Sequence, residues 1–466
     1  MYLEFHGAAE EVTGSLHRLH VGGSDIALDC GLFQGHRTDA NRLNRELPDW
    51  AVAARALVLS HAHLDHSGNI PSLVKRGFEG DIFCTPATRD LCSVMLRDAA
   101  LIQQQDARYL NKHNQRDGNP ERIEPLYDGE DAERAVARMI SLPLHRSLEI
   151  APGVRLTFHD SGHVLGSALV CLDLEEAARR LRLLFTGDLG RAELPLLRSP
   201  EVVPGVDVLM LESTYGDRQH PDIATLDAEL GAIVNATLAR GGRVYIPTFA
   251  LERAQEVLFA LARLHDGGKV PRVPIYIDSP LAIAITEIYK LHPEGLSPDV
   301  RQRILERDDP FSPPGLVYVS KIEDSRRLQS ESDPCIIIAG AGMCEGGRIL
   351  HHFATALGRA QNSVVMVGFM AQHTLGRRLI EGRSRVKVFG VERDVYAQIH
   401  SLGGLSAHAD QRDLLAFVAD TARSGHVSRV VLVHGEPPAQ RALGKLLKER
   451  GSPDITHAVK GQRLDL

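Results

Sequence analysis

Short apolar runs separated by glycine-containing turns occupy the first 60 positions. YLEF, LHRLHV and DIALDC mix apolar and polar positions at the two-residue spacing of half-buried strands, and ALVLS at 56–60 is nearly all apolar. The spacing turns helical at 68–77 (GNIPSLVKRG) and over a long stretch from Ala87 to His113. Strand runs return at 154–159, 168–173, 182–186 and 206–211. Such a strand-rich segment with interspersed helices predicts a sheet-on-sheet core covered outside by helices.

Beyond Thr214 the pattern changes. VYIP (244–247), VPIYI (273–277), GLVYV (315–319), CIIIA (335–339) and SVVMV (363–367) alternate with helical segments at 250–264, 280–291 and 346–356. β-Branched runs alternating with helices predict a doubly wound parallel α/β sheet over about 170 residues. From 386 the chain reads as VKVFG, a helix at 409–423, VVLVH at 430–434 and a helix at 437–450. Two domains are expected, the first interrupted by the second: 1–213, an insert at 214–385, and 386–466.

Composition narrows the class. Of 466 residues, 43% are hydrophobic and 24% charged, as in ordinary globular proteins. No apolar run approaches the ~18 residues of a membrane span, and MYLEFHGAAEEVTG lacks the basic start of a signal peptide. Six scattered cysteines without a CxxC pair point to reduced thiols and a cytoplasmic protein. A net charge of −7 argues against a surface that coats nucleic acid. Arg377, Arg378, Arg383, Arg385 and Lys387, opposed only by Glu381, form a local basic run, either a solvated face or a phosphate-tracking patch.

The chemistry concentrates in SHAHLDHSGN at 60–69, where His61, His63, Asp65 and His66 fall within six residues directly after a strand. Imidazole with carboxylate suits Zn²⁺ or a similar borderline metal. Four such groups exceed what one tetrahedral ion takes from a single loop, so two adjacent ions sharing a bridging water are expected, which is hydrolytic machinery. His163 in HDSGHVLGSA, Asp188 in FTGDLGR and His434 in VVLVHG each follow an apolar run and lie beside a glycine. His61, His63 and His163 would hold the first ion, Asp65, His66 and His434 the second, with Asp188 between them. Asp29 and Asp160 are candidates for orienting the ligands from behind.

SHAHLDHSGN, SGHVLGSA, FTGDLGR and LVHGE resemble the metallo-β-lactamase superfamily. ESTYGDR around Glu212, IPTFALERAQE, DSPLA, GAGMCEGGRILHH at 340–352, TLGRRL and LSAHAD around His408 resemble its β-CASP branch of nucleic-acid-processing nucleases. The likeness covers nearly the whole chain and is nearest to prokaryotic relatives of the endonuclease subunit of the mRNA 3′-end cleavage and polyadenylation factor. KH domains and the C-terminal domain of ribonuclease J are expected to be absent. His373 stands where relatives often carry glycine.

The resemblance implies an αββα metallo-β-lactamase sandwich, discontinuous in sequence, with an inserted parallel-sheet α/β β-CASP domain and the active site in the cleft between them. It implies a two-Zn²⁺ ribonuclease (Mn²⁺ serving equally) acting on single-stranded RNA, with no membrane partner and a homodimer as candidate assembly. Catalytic residues are then His408 as general acid, Glu212 as its orienting carboxylate, and Asp65. Gly346, Gly347, Arg348, Ser406, Thr374 and Arg377 are candidate substrate contacts, the glycines through a helix start. A thioester or lactone hydrolase, a DNA-directed nuclease and a silent scaffold are the alternatives. The first explains the ligands but not the insert or the His408–Glu212 pair, and the last conflicts with seven filled ligand positions.

Overall fold

The computed structural model describes residues 1–35, 37–116, 122–192, 194–368, 370–452 and 454–466. It divides into two compact units: Met1–Glu193 with Leu197–Gln219 and His408–Leu466, and Leu194–Leu196 with His220–Ala407.

The first unit stacks two seven-stranded sheets. Its core lies between them, with Leu3, Phe5, Leu19 and Val58 from one sheet facing Leu156, Phe158, Phe185 and Met210 from the other. Strand Val154–Asp160 shows how alternation builds this: Val154, Leu156 and Phe158 are buried while Arg155, Thr157 and His159 are not. On the far face of the second sheet, Leu184, Leu209, Leu211 and Leu432 pack with Leu414, Leu415 and Leu443 of helices Gln411–Arg423 and Pro437–Glu449. Helix Pro86–Arg116 lies against strand Met139–Ser141 of the first sheet. The layering is the expected αββα sandwich.

Three neighbouring strands of the second sheet, Arg179–Phe185, Val208–Glu212 and Arg429–Val433, run parallel. Their C-terminal ends therefore share one edge, and Asp188, Glu212 and His434 lie at or just beyond those ends. Strand Val208–Glu212 is buried along its whole length, which accounts for its continuous apolar run.

The second unit is built on a six-stranded sheet in the order Leu316–Tyr318, Ile275–Asp278, Ile336–Ala339, Val244–Pro247, Ser363–Met366, Gln398–Ser401, with every pairing parallel. Its limits differ from the expected 214–385. Strand Gln398–Ser401 pairs with Ser363–Met366, and hairpin residues Val386 and Val388 join this unit's core, so the unit runs on to Ala407. At the other end Tyr215 bridges to Asp410, and the Arg218 carbonyl accepts the Gln411 N–H, keeping 214–219 with the first unit.

All six cysteines are free and buried. Among the described residues no helix is long and apolar enough to cross a membrane.

Candidate metal centre

Two glycines let the ligand-bearing turns close. Gly187 (φ 52°) precedes Asp188, and a Cβ there would lie 2.6 Å from the Ser60 side chain. Gly162 (φ 65°) precedes His163 and rests on the Arg198 carbonyl, 2.5 Å from where a Cβ would stand. Any side chain at either position would push a ligand out of place.

The seven expected ligands converge as two groups, His61–His63–His163–Asp188 and Asp65–His66–His434. Asp188, 1% exposed, lies between them. Its Oδ2 is 3.5 Å from His61 Nε2 and 3.4 Å from His163 Nε2. Its Oδ1 is 3.2 Å from His66 Nε2 and 3.3 Å from His434 Nδ1. Neither oxygen makes a hydrogen bond of proper geometry. A buried carboxylate left this way is costly unless a cation takes its lone pairs. Among the imidazoles, His63 Nδ1 is 3.1 Å from His61 Nε2 and 3.2 Å from His163 Nε2, while His66 Nε2 is 3.2 Å from His434 Nε2. A tetrahedral zinc with bonds of about 2.0–2.1 Å spaces its nitrogens by about 3.3 Å. The donor set thus fits metal ions in chemistry and in spacing.

Titration preferences agree. Burial holds His61 and His163 well below the usual imidazole range and His63 at about 4, the neutral ligand form. For His66, burial is outweighed by the Asp188 and Asp29 carboxylates, which raise it well above that range. For Asp188 the burial penalty is overcome by His434, His66 and His408, which keep it ionised.

Behind the ligands, Asp29 accepts from Ser60 N–H at 2.8 Å through Oδ1, while Oδ2 faces His66 Nδ1 at 2.7 Å and accepts from Ser15 Oγ at 3.0 Å. Asp29 thereby fixes the His66 ring. Ser60 Oγ stands 3.0 Å from His61 Nδ1, and Thr214 Oγ1 stands 3.1 Å from His434 Nδ1. Neither was singled out from the sequence, although both adjoin recognised motifs. Ser15 had no such signal.

Asp160 differs from expectation: its Oδ1 accepts the Gly162 N–H at 2.9 Å, and His163 Nδ1 has no hydrogen-bond partner. Burial pushes the Asp160 acid up from 3.8 to about 6, against the pull of that N–H and of Arg198. Because the folded value exceeds the unfolded one, its contribution is whole below pH ~4 and is lost as pH rises through ~6, a cost of roughly 3 kcal/mol. Asp160→Asn keeps an acceptor for Gly162. It is expected to raise stability at pH 8 by about 1–3 kcal/mol and hardly at pH 4, as read from urea unfolding at both pH values.

His408, 22% exposed, lies beside this centre, its ring centroid 4.5 Å from that of His163 at a tilt of 49°. Its Nδ1 is 3.1 Å from Glu212 Oε1. Glu212 is wholly buried and also accepts the Leu189 and Thr214 N–H groups at 2.7 and 3.3 Å. Burial works against charge on His408, but Glu212 and Asp188 prevail and raise its pKa to about 9.

The expected substrate contacts all lie in the second unit, and several are otherwise engaged. Arg348 Nη1 donates to Asp278 Oδ1 at 2.6 Å and to the Val319 carbonyl at 2.9 Å, and Nη2 donates to the Ser320 carbonyl. Asp278 is completed by His352 Nε2 at 2.7 Å and Ser325 Oγ at 2.6 Å. The guanidinium therefore braces its own unit instead of standing free for phosphate. Thr374 caps helix Leu375–Ile380 by accepting the Arg377 N–H. Arg377 pairs with Glu381 at 2.8 Å, Arg378 with Glu345 and Arg385 with Asp394, which makes the basic run largely a neutralised face. Gly346 and Gly347 begin helix Gly347–Ala356, which has no side-chain cap, and Ser406 is half-buried. His373 sits at φ 69°, the left-handed region glycine prefers.

A Beta-Casp domain model matches residues 254–379, and a model described as a Zn-dependent metallo-hydrolase RNA specificity domain matches 392–459. The chain is 38% identical over 445 residues to ribonuclease TTHA0252 of Thermus thermophilus, covering 96% of this chain and 95% of that protein. The chain belongs to the β-CASP branch of the metallo-β-lactamase family. Another member, the transcription termination factor FttA of Methanocaldococcus jannaschii, is 30% identical over 93% of this chain, which spans 67% of that protein. A solved structure of a protein of unknown function from Enterococcus faecalis shares the fold, with TM-score 0.56 at 14% identity over 100% of this chain and 99% of that one. A metal cofactor is a property of this family, and the β-CASP segment matched by its model lies wholly within the second unit described above.

Proposed function

We propose that this β-CASP protein is a metal-dependent ribonuclease that hydrolyses phosphodiester bonds of single-stranded RNA, using two zinc ions. The observation that carries this reading is Asp188, whose two unpartnered oxygens each face a separate pair of histidines. His61, His63 and His163 would hold one ion and Asp65, His66 and His434 the other, with Asp188 facing both groups. Cations bound there would supply Lewis-acid charge neutralisation and an activated water at neutral pH.

The remaining work falls to the chain. With Nδ1 committed to Glu212, His408 offers Nε2–H to the departing 3′ oxygen, acting as general acid. Glu212 fixes the ring and favours its protonated form. Asp65, 3.7 Å from His434 Nε2, serves the chemistry as a member of the second ligand group. Departure of the 3′ oxygen leaves 5′-phosphate and 3′-hydroxyl ends, and the 2′-hydroxyl takes no part. Gly346, Gly347 and Ser406 are the proposed contacts to the RNA backbone, while Arg348 braces its own unit, Thr374 caps a helix and Arg377 pairs with Glu381 on the surface. The ribonuclease name of the Thermus relative and the RNA specificity model support RNA as substrate.

The test is incubation with end-labelled single-stranded RNA bearing different 5′ ends. Cleavage should produce 5′-phosphate products, stop on chelation and return with Zn²⁺. Product sizes over time sort internal cutting from stepwise removal. Hydrolysis of a thioester or lactone with intact RNA would overturn the reading.

A further inference from the structure

We propose that His145, His159 and Glu201 form a third metal site, separate from the centre built on Asp188 and suited to Zn²⁺ or a similar borderline divalent cation. The three donors come from three segments and lie within 4.8 Å of one another. His145 Nε2 is 2.7 Å from Glu201 Oε2, and His159 Nδ1 is 3.3 Å from the same oxygen.

Each side chain is delivered independently by the backbone. His159 stands on the outward side of strand Val154–Asp160, between buried Phe158 and Asp160. His145 takes a left-handed φ of 62°, and its N–H donates to the Phe158 carbonyl at 2.8 Å. Glu201 N–H donates to the Asp160 carbonyl at 3.0 Å. The side chains thus meet without needing each other to be placed there.

Their chemistry is that of a ligand set. Two imidazoles and a carboxylate make up the three-ligand pattern of open zinc sites, with the fourth position left to water. The Glu201 acid is held to about 2: burial opposes ionisation, but the hydrogen bonds to His159 and His145 outweigh it, so the carboxylate form is the one present. His145 is 55% exposed and Glu201 25%, which gives a cation a way in. Bonds of about 2.0–2.2 Å to a tetrahedral ion put neighbouring donors about 3.3 Å apart; His159 and Glu201 already stand at that spacing, and the 2.7 Å His145–Glu201 contact has to open by a fraction of an ångström.

Occupancy has a structural consequence. The segment carrying Glu201 is the one Gly162 rests on, since a Cβ on Gly162 would meet the Arg198 carbonyl and Pro200 nitrogen at 2.5 and 2.9 Å. A cation joining Glu201 to His145 and His159 therefore anchors the support under the turn that presents His163.

The experiment measures zinc per chain by mass spectrometry after equilibration with buffered Zn²⁺. The wild type, His145→Ala/His159→Ala, Glu201→Gln and Asp188→Asn are compared. Both the double variant and Glu201→Gln should hold one zinc fewer than wild type, and Asp188→Asn should keep the ion that these two lose. Glu201→Gln preserves shape and an acceptor oxygen, so it remains informative if the double variant unfolds. Equal zinc in wild type and Glu201→Gln overturns the proposal and leaves an ordinary histidine–carboxylate ion pair. That outcome is independent of whether the Asp188 centre holds metal.

Discussion

Asp188→Asn should lower RNA cleavage by more than about 10³-fold and release the metal of the main centre, about two ions per chain by difference from wild type. Removing a single transition-state donor from an active site commonly costs 10²–10³-fold, and Asp188 faces both ligand groups at once. The amide keeps one oxygen but turns an NH₂ toward an imidazole pair, replacing a ligand with a hydrogen-bond donor. Metal-free stability should fall, because Asp188 is the carboxylate that offsets charge on buried His66 and His408. Zinc content with thermal unfolding, run with and without chelator, checks both halves. Full metal retention in the variant would mean that Asp188 is no ligand.

His408→Ala should lower turnover on RNA by roughly 10²–10⁴-fold, the usual worth of a positioned acid, and leave metal content unchanged. The working form is the protonated ring, so cleavage falls as pH rises through its pKa, and this alkaline limb should vanish in the variant. A p-nitrophenyl phosphodiester, whose leaving group needs no proton, should be hydrolysed at near wild-type rate. If His408→Ala instead sheds zinc, the residue is a ligand. If it loses both substrates equally, its part is to position rather than to donate a proton.

The sequence was most legible where chemistry coincides with strand ends. His61, His163, Asp188 and His434 each follow an apolar run, and for Asp188 and His434 neighbouring parallel strands carry those ends to a common edge. Periodicity described the sandwich well because its strands are either strictly alternating, as Val154–Asp160, or wholly buried, as Val208–Glu212. It failed at the limit of the insert, because Gln398–Ser401 belongs to the parallel sheet only through its partner Ser363–Met366, a pairing no local pattern announces.

The bracing role of Arg348 is hidden from the sequence for a similar reason. A glycine-flanked arginine at a helix start looks like a phosphate contact, and only the folded chain reveals Asp278, seventy residues earlier, as its partner. His145, His159 and Glu201 carried no signal at all, since no motif links them and each alone is an ordinary polar surface residue. Side chains that act through neighbours distant in sequence stay invisible until topology is known.

His66 and His434, in ring contact, are 368 residues apart in the chain. A ribosome adding about 5–20 residues per second delivers the second roughly 20–70 s after the first. Throughout that interval the growing polypeptide carries an incomplete set of ligands, so a nuclease of this design stays inert while the transcript encoding it is still being read.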